Sequence, residues 1–334
     1  MTRGLTLGKY APLHKGHQYV FEEALATVDE LVVLIYNCPE TTDVPLNVRA
    51  GWIKALYPRA VEKGKLIILE GWAGPKETGD DPRIAKLQQD YIHGMLTLHG
   101  LYPITHFFSS EFYGEHMSKF LGAKDIRVDS ARKKFPVSGT DVRKDAYKFR
   151  QFISPMVYAD LIKKVVFLGA ESTGKTTTAS KMAQLYNTVC MPEYGREYWT
   201  KHNINGRLTL DQLAELAQEH LRIEDVVIQE ADQYMFVDSN AMTTAMFSQH
   251  YCNAVHPHLE KMVKLAETRY HYFFLCGDDI PYVEDGTREG DTQRHVFQRQ
   301  IIQDLKDRGV HYVELLGDLQ TRTLKVKEVL DGGH

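Results

Sequence analysis

The stretch Gly169-Ala-Glu-Ser-Thr-Gly-Lys-Thr176 has the most definite chemistry in the chain. An apolar run, Val165–Leu168, feeds it, and a helix-forming stretch, Thr177–Tyr186, follows. Strand, G-x-x-x-x-G-K-[ST], helix is the phosphate-loop pattern. Gly169 and Gly174 let the backbone curl so that successive amides point at phosphate oxygens. The helix that follows adds its positive end. Lys175 can reach the outer phosphates and the Thr176 hydroxyl can ligate magnesium. Gly169, Glu171, Ser172, Thr173, Gly174, Lys175, Thr176 and Thr177 are therefore the candidate nucleotide-binding residues of this half. Tyr234-Met-Phe-Val-Asp238 is an apolar strand ending in a carboxylate, which beside such a loop suits a second magnesium contact through water. Glu193, just past the strand-like Thr188–Met191, is a candidate general base or sugar-hydroxyl anchor. Glu197 competes with it, and spacing alone does not choose. The glycine-rich, charged segment Asp285–Arg294 reads either as a lid whose arginines close on a transferring phosphoryl group or as a plain surface loop.

A second group of polar residues lies in the first half. His14-Lys15-Gly16-His17 follows the short strand Leu5–Leu7, where a helical stretch, Gln18–Val28, begins. Two imidazoles at the positive end of a helix suit anionic phosphates. Val137-Ser-Gly-Thr-Asp-Val-Arg143 follows the last strand of this half. Ser138 or Thr140 can cap a helix whose first amides hold phosphate, with Arg143 one turn on along the same face. Either segment alone reads as an ordinary turn or capped helix. Together they carry the signal.

The elements that must position these residues alternate. In the first half, strands are expected at Leu5–Leu7, Leu31–Tyr36, Leu66–Leu69, Thr105–Ser109 and Ile126–Asp129, with helices at Gln18–Val28, Asn47–Leu56 and Arg83–His99. In the second half, strands are expected at Val165–Leu168, Thr188–Met191, Tyr234–Asp238, Tyr272–Cys276 and His311–Leu315, with a long amphipathic helix at Leu210–Glu230. Alternation of this kind predicts an α/β fold of two doubly wound parallel-sheet domains, a Rossmann-like domain followed by a phosphate-loop kinase fold, with ligands at the carboxyl ends of the strands. The expected domains are 1–150 and 164–334, joined by a linker at 151–163 in which Ser154-Pro155 starts a short helix, Met156–Ile162.

Composition narrows the classes. A chain of 334 residues, 43% hydrophobic and 25% charged, can build two real cores. A net charge of −4 without a basic run argues against a nucleic-acid partner. The four cysteines, Cys38, Cys190, Cys252 and Cys276, are scattered and read as thiols in a reducing compartment, the cytoplasm. No apolar run is long enough for membrane insertion.

The paired elements His14-Lys15-Gly16-His17 and Ser138-Gly139-Thr140-Asp141-Val142-Arg143 are similar to the H-x-G-H and S-x-T-x-x-R signatures of the nucleotidylyltransferases. Gly8-Lys9-Tyr10-Ala11-Pro12-Leu13-His14 looks closest to the nicotinamide mononucleotide (NMN) adenylyltransferases. Ser109-Ser110-Glu111-Phe112-Tyr113-Gly114 and Val128-Asp129-Ser130-Ala131-Arg132 resemble that family's bacterial bifunctional branch. With Glu193-Tyr-Gly-Arg-Glu197, Val237-Asp238-Ser239-Asn240 and Asp285-Gly286-Thr287-Arg288, nearly the whole chain resembles the NadR-type enzymes, an NMN adenylyltransferase followed by a ribosylnicotinamide kinase.

The resemblance implies a NAD salvage transferase that takes ATP, nicotinamide riboside and NMN, uses Mg2+ and makes NAD. It implies that Lys175, Thr176, Asp238 and the lid residue Arg288 hold charge in the kinase, with Thr176 and Asp238 at the metal. It implies that Gly8, Lys9, Tyr10, His14, His17, Ser138, Thr140 and Arg143 position substrates for adenylylation. Some members begin with a helix-turn-helix; here Gly8-Lys9-Tyr10 already belongs to the first catalytic motif, so the repressor role is not carried over. Trp52, Trp72 and Tyr91 are unranked candidates to stack on the nicotinamide ring. The same generic motifs also suit a phosphopantetheine adenylyltransferase fused to a dephospho-coenzyme A kinase, or a nucleotide-sensing regulator with weak catalysis. Oligomeric state is open, a homo-oligomer included.

Overall fold

The computed structural model describes residues 1–75, 81–110, 114–204, 206–283 and 291–332. The chain divides into two compact units, Met1–Leu161 and Ile162–His334. The first contains β1 (Arg3–Gly8), α1 (Lys15–Thr27), β2 (Glu30–Tyr36), α2 (Leu46–Leu56), α3 (Pro58–Glu62), β3 (Leu66–Gly71), α4 (Pro82–Leu98), β4 (His106–Ser109), α5 (Gly114–Leu121), β5 (Lys124–Arg127), α6 (Gly139–Lys144) and α7 (Pro155–Leu161). The second contains β6 (Lys163–Leu168), α8 (Lys175–Leu185), β7 (Cys190–Met191), α9 (Tyr194–His202), α10 (Leu210–Val227), β8 (Tyr234–Asp238), α11 (Ala241–Cys252), α12 (Pro257–Arg269), β9 (Tyr272–Cys276), α13 (Asp291–Asp307), β10 (Val313–Leu315) and α14 (Leu319–Asp331).

Each unit is built on a five-stranded sheet, ordered β3-β2-β1-β4-β5 in the first and β10-β9-β6-β8-β7 in the second. Every strand pair is parallel. A parallel sheet is covered on both faces, so its central strands must be apolar throughout rather than alternating. Leu31 to Ile35 of β2 and all of β8 are accordingly buried. In the first unit Leu5, Leu7, Val32, Leu34 and Phe107 pack against Ile92 and Leu96 of α4. In the second, Phe167, Phe236 and Phe274 form an aromatic layer, Phe167 stacking on Phe274 at 5.6 Å between centroids.

Strand order reverses at the first strand of each unit. β1 has β2 and β4 as neighbours; β6 has β8 and β9. Loops leaving β1 and β6 therefore open into the crevice where such folds bind ligands. Register completes the placement. Phe167 pairs with Asp238, so the last residue of β8 lies beside the mouth of the β6 loop.

Some boundaries differ from the expected ones. β5 spans Lys124–Arg127 rather than Ile126–Asp129. Asp129 has already left the extended region (φ 48°), and its carboxylate accepts the amides of Lys133, Lys134 and Phe135. β7 shrinks to Cys190–Met191 because the chain turns at Asn187 (φ 50°) and Thr188 spends its hydroxyl on the carbonyl of Tyr234. α1 begins at Lys15, with His14 at its N-cap. Residues 151–161, expected as linker, lie in the first unit, where Asp160 of α7 accepts a hydrogen bond from Trp52 Nε1 at 2.7 Å.

Truncating Phe167 to alanine removes the middle of the aromatic layer. The second unit should lose about 3–5 kcal/mol of stability, read from its urea transition. A loss under about 1 kcal/mol would mean that the layer does not support this sheet.

Candidate active sites

In the second unit the β6 loop is shaped by backbone that only glycine tolerates. Gly169 has φ 141°, and a Cβ there would lie 2.7 Å from the Cys276 carbonyl oxygen. Gly174, at φ 80°, is the N-cap of α8. The loop's carbonyls are held from behind. Arg322, 2% exposed, donates to the carbonyls of Thr173, Gly277 and Gly317 and pairs with Asp279 at 2.7 Å. Arg294 donates to the carbonyls of Ser172 (3.3 Å) and Ile280 (2.9 Å). Gln298 Oε1 accepts the Ala170 amide at 2.8 Å while its Nε2 donates to the Cys276 carbonyl. Lys175 Nζ donates to the Ala170 carbonyl at 2.8 Å. The Thr176 hydroxyl donates to Asp238, which is fully buried.

This loop borders a cleft of about 570 Å³. Glu171 to Thr177, Asp238 and Glu193 all line it, so the structure gathers these sequence candidates at one place. Gly169 sits behind them, as the turn that lets the loop leave β6. Glu193 and Glu197 separate: Glu193, the N-cap of α9, faces the cleft, while Glu197 is not in its lining and pairs with Lys201 at 2.6 Å. Arg288 lies outside the described residues, as do Glu111, Phe112 and Tyr113 of the first unit.

Several lining residues were not foreseen from sequence. Arg196, Trp199, Arg207, His220, Phe247 and Tyr251 come from α9, the segment after it, α10 and α11. On α10 the signal was available: Leu213, Leu216 and His220 form one stripe at helical spacing. The same stripe reads equally well as ordinary core. Behind it, Glu224 is buried. Burial alone would raise its carboxyl, yet hydrogen bonds from His220 and Tyr270 and the charge of Arg269 hold it below the usual range.

In the first unit His14 and His17 stand at the start of α1 with their rings stacked at 3.7 Å. Gly16 lets the His14 ring lie close over α1, since a Cβ there would be 3.0 Å from that ring. Tyr10, at φ 46°, packs edge-on to His17 at 5.0 Å, and a Cβ on Gly8 would strike the Tyr10 ring. Lys9 Nζ donates to Thr41 Oγ1 at 2.9 Å. Arg143 joins the two motifs: it donates to the Ala11 carbonyl (2.5 Å) of the β1 loop and to Thr140 Oγ1 (3.0 Å). Ser138 and Asp141 form a reciprocal cap at the start of α6. Arg49, unforeseen and buried, donates to the carbonyls of Lys9, Tyr36 and Val44. Of the aromatic candidates, Trp52 is 2% exposed in the core, Trp72 is 57% exposed, and Tyr91 leans on Tyr36.

The histidines are not fixed cations. Burial, then the Arg132 charge, brings His14 down to about 4. Burial, His14 and Arg132 lower His17 well below its ordinary value. Neutral imidazoles here are hydrogen-bonding groups. His17 Nδ1 accepts the His14 amide (3.4 Å), so its proton resides on Nε2.

Between about pH 4 and pH 6.5 the unfolded chain binds a proton at His14 that the folded chain does not. Its contribution to stability is complete above pH 6.5 and is lost as pH falls toward 4. The stability of the first unit should therefore decline more steeply across this window in the wild type than in His14→Asn. Urea midpoints measured against pH would check this, and parallel curves would refute it.

The family model described as AAA domain matches residues 164–322. The trifunctional NAD biosynthesis/regulator protein NadR of Salmonella typhimurium is 25% identical over 344 aligned positions, covering 98% of this chain and 82% of that protein. A crystal structure of NadR protein in complex with NAD and AMP-PNP matches with a TM-score of 0.58 at 20% identity, covering 99% of this chain and 95% of that one. A second, in complex with NR, gives 0.59 at the same identity and coverage. Both share the fold of two parallel-sheet units described above. The chain is thus homologous to the NadR proteins over nearly its whole length.

Proposed function

We propose that this chain makes NAD from nicotinamide riboside in two steps, one in each unit. In the second unit ATP lies on the β6 loop and nicotinamide riboside occupies the adjoining cleft. The riboside 5′-hydroxyl oxygen bonds to the γ-phosphorus, the bond from that phosphorus to the β,γ-bridging oxygen breaks, and ADP leaves. Glu193 takes the hydroxyl proton, and Lys175 with the loop amides holds the phosphate charge. In the first unit the NMN phosphate attacks the α-phosphorus of a second ATP, and pyrophosphate leaves. His14, His17, Lys9, Thr140 and Arg143 position the phosphates, and no protein nucleophile is needed.

Magnesium fits the second unit. Thr176 and Asp238 offer a hydroxyl and a carboxylate, hard oxygen donors suited to a cation held mostly by nucleotide phosphates and water. Among the described residues no group of three or more His, Cys, Asp or Glu forms a dedicated metal cage. When bound, the ion would neutralise phosphate charge as the γ-phosphoryl moves. Also among the described residues, no helix is long and apolar enough to cross a membrane. A cytoplasmic location is part of the same proposal, supported by four free thiols.

One observation carries the reading. A nucleotide loop, the Thr176–Asp238 pair and Glu193 face one cleft in a chain homologous to NadR, while the other unit joins its own histidine and arginine motifs through Arg143. Product analysis after incubation with nicotinamide riboside, ATP and magnesium tests it, with dephospho-coenzyme A as the competing acceptor. NMN should appear first and NAD after it; phosphorylation of dephospho-coenzyme A alone would replace this reading.

Lys175→Ala should lower riboside phosphorylation by about 100-fold or more and leave adenylylation of supplied NMN near wild type. His17→Ala should do the opposite. Equal loss of both activities in either folded variant would contradict the division of labour.

A further inference from the structure

His220 has a feature that the reaction above does not use. It is 6% exposed, lies on the cleft-lining stripe of α10, and its Nε2 is buried with no hydrogen-bond partner among the described residues. Its other nitrogen is committed: Nδ1 lies 3.3 Å from Glu224 Oε1. Glu224 also accepts from Tyr270 Oη (2.5 Å) and from Arg269 Nε (2.8 Å), and Arg269 reaches on to Asp225 at 2.6 Å. A carboxylate held by so many donors can only accept. His220 therefore carries a proton on Nδ1, and in the neutral ring Nε2 presents a lone pair. A buried acceptor left unsatisfied is costly, and such groups are normally partnered.

The same cleft is lined by a second such group. Asn240 Oδ1 caps α11 by accepting the Met242 amide at 3.0 Å, which fixes the orientation of the side-chain amide. Its Nδ2 is buried with no partner among the described residues, and the residue lines the cleft. The cleft lining thus offers one acceptor, on the neutral His220 ring, and one fixed donor.

We propose that His220 is a substrate-binding residue whose Nε2 accepts a hydrogen bond from an N–H or O–H of the acceptor nucleoside, oriented by the buried Glu224 behind it. The inference rests on the proposed riboside kinase activity. An acceptor fixed by an anionic neighbour prefers an uncharged donor and disfavours an anion at the same place. A nucleoside with a carboxamide or ribose hydroxyl there is accepted, and one with a carboxylate there is not.

Steady-state kinetics of the full chain test this with His220→Phe, which keeps bulk but lacks an acceptor, and His220→Gln, which restores one. His220→Phe should reduce kcat/KM for nicotinamide riboside by about 10-fold, through KM, with KM for ATP and the adenylylation rate unchanged. His220→Gln should recover most of the loss. Analogues name the donor: nicotinic acid riboside lacks the amide N–H, and deoxyribosides lack single hydroxyls. The analogue missing the partner of Nε2 should be poorer by about 10-fold with the wild type and no poorer than the parent riboside with His220→Phe. Unchanged kinetics in both variants, or no analogue that couples to His220, would overturn the assignment while leaving the kinase reading intact. A wild-type chain that does not phosphorylate the riboside would instead overturn the reading itself.

Discussion

A loop can turn its amides toward a phosphate only if its carbonyls are held elsewhere. The structure meets this constraint in both units with a buried arginine. Arg322 takes carbonyls from three segments of the second unit, and Arg49 takes the carbonyls of Lys9, Tyr36 and Val44 in the first. A buried guanidinium is expensive unless its donors are satisfied. Its planar fork suits several carbonyl oxygens at once, where an ammonium would make a point contact. Arg322 comes from α14, far along the chain from the loop it braces, so the loop's shape depends on the second unit being fully folded.

The two cradles use different electrostatics. In the second, Lys175 brings a positive charge to the mouth of a helix, next to a buried carboxylate already bonded to Thr176. In the first, the histidines are stacked, buried and held neutral. Neutral rings act through directed hydrogen bonds, and the bond that His17 Nδ1 accepts from the His14 amide leaves its proton on Nε2. Positive charge there comes from Lys9, Arg132 and Arg143, and Arg143 also links the α6 segment to the β1 loop. Positioning by fixed dipoles needs little rearrangement when charge moves, and that suits a displacement in which the protein forms no covalent bond.

The cleft of the second unit shows how one helix serves two purposes. Leu213 and Leu216 of α10 give the cleft an apolar wall, and His220 continues their stripe with a polar group. One turn further, Glu224 sits in a network with Tyr270 and Arg269 from the far end of α12 and just beyond it. An ionised carboxylate is tolerated at full burial there because each of its oxygens has a strong donor.

Much of this was readable without coordinates. The apolar runs at Leu31–Ile35 and Tyr234–Val237 demanded strands buried on both faces, and glycine spacing at 169 and 174 demanded a loop of fixed shape, because both follow from local sterics and periodicity. The histidine, serine–threonine–arginine and lysine-loop motifs were legible for the same reason: each is contiguous. What sequence left open were choices between residues that are chemically alike and differ only in where the fold points them. Glu193 faces the cleft and Glu197 a surface lysine; Trp52 is core and Trp72 is exposed. The bracing arginines, the neutrality of the histidines and the free face of His220 were also invisible. Each depends on burial and on partners 40 to more than 100 residues away, and only the folded chain brings those together.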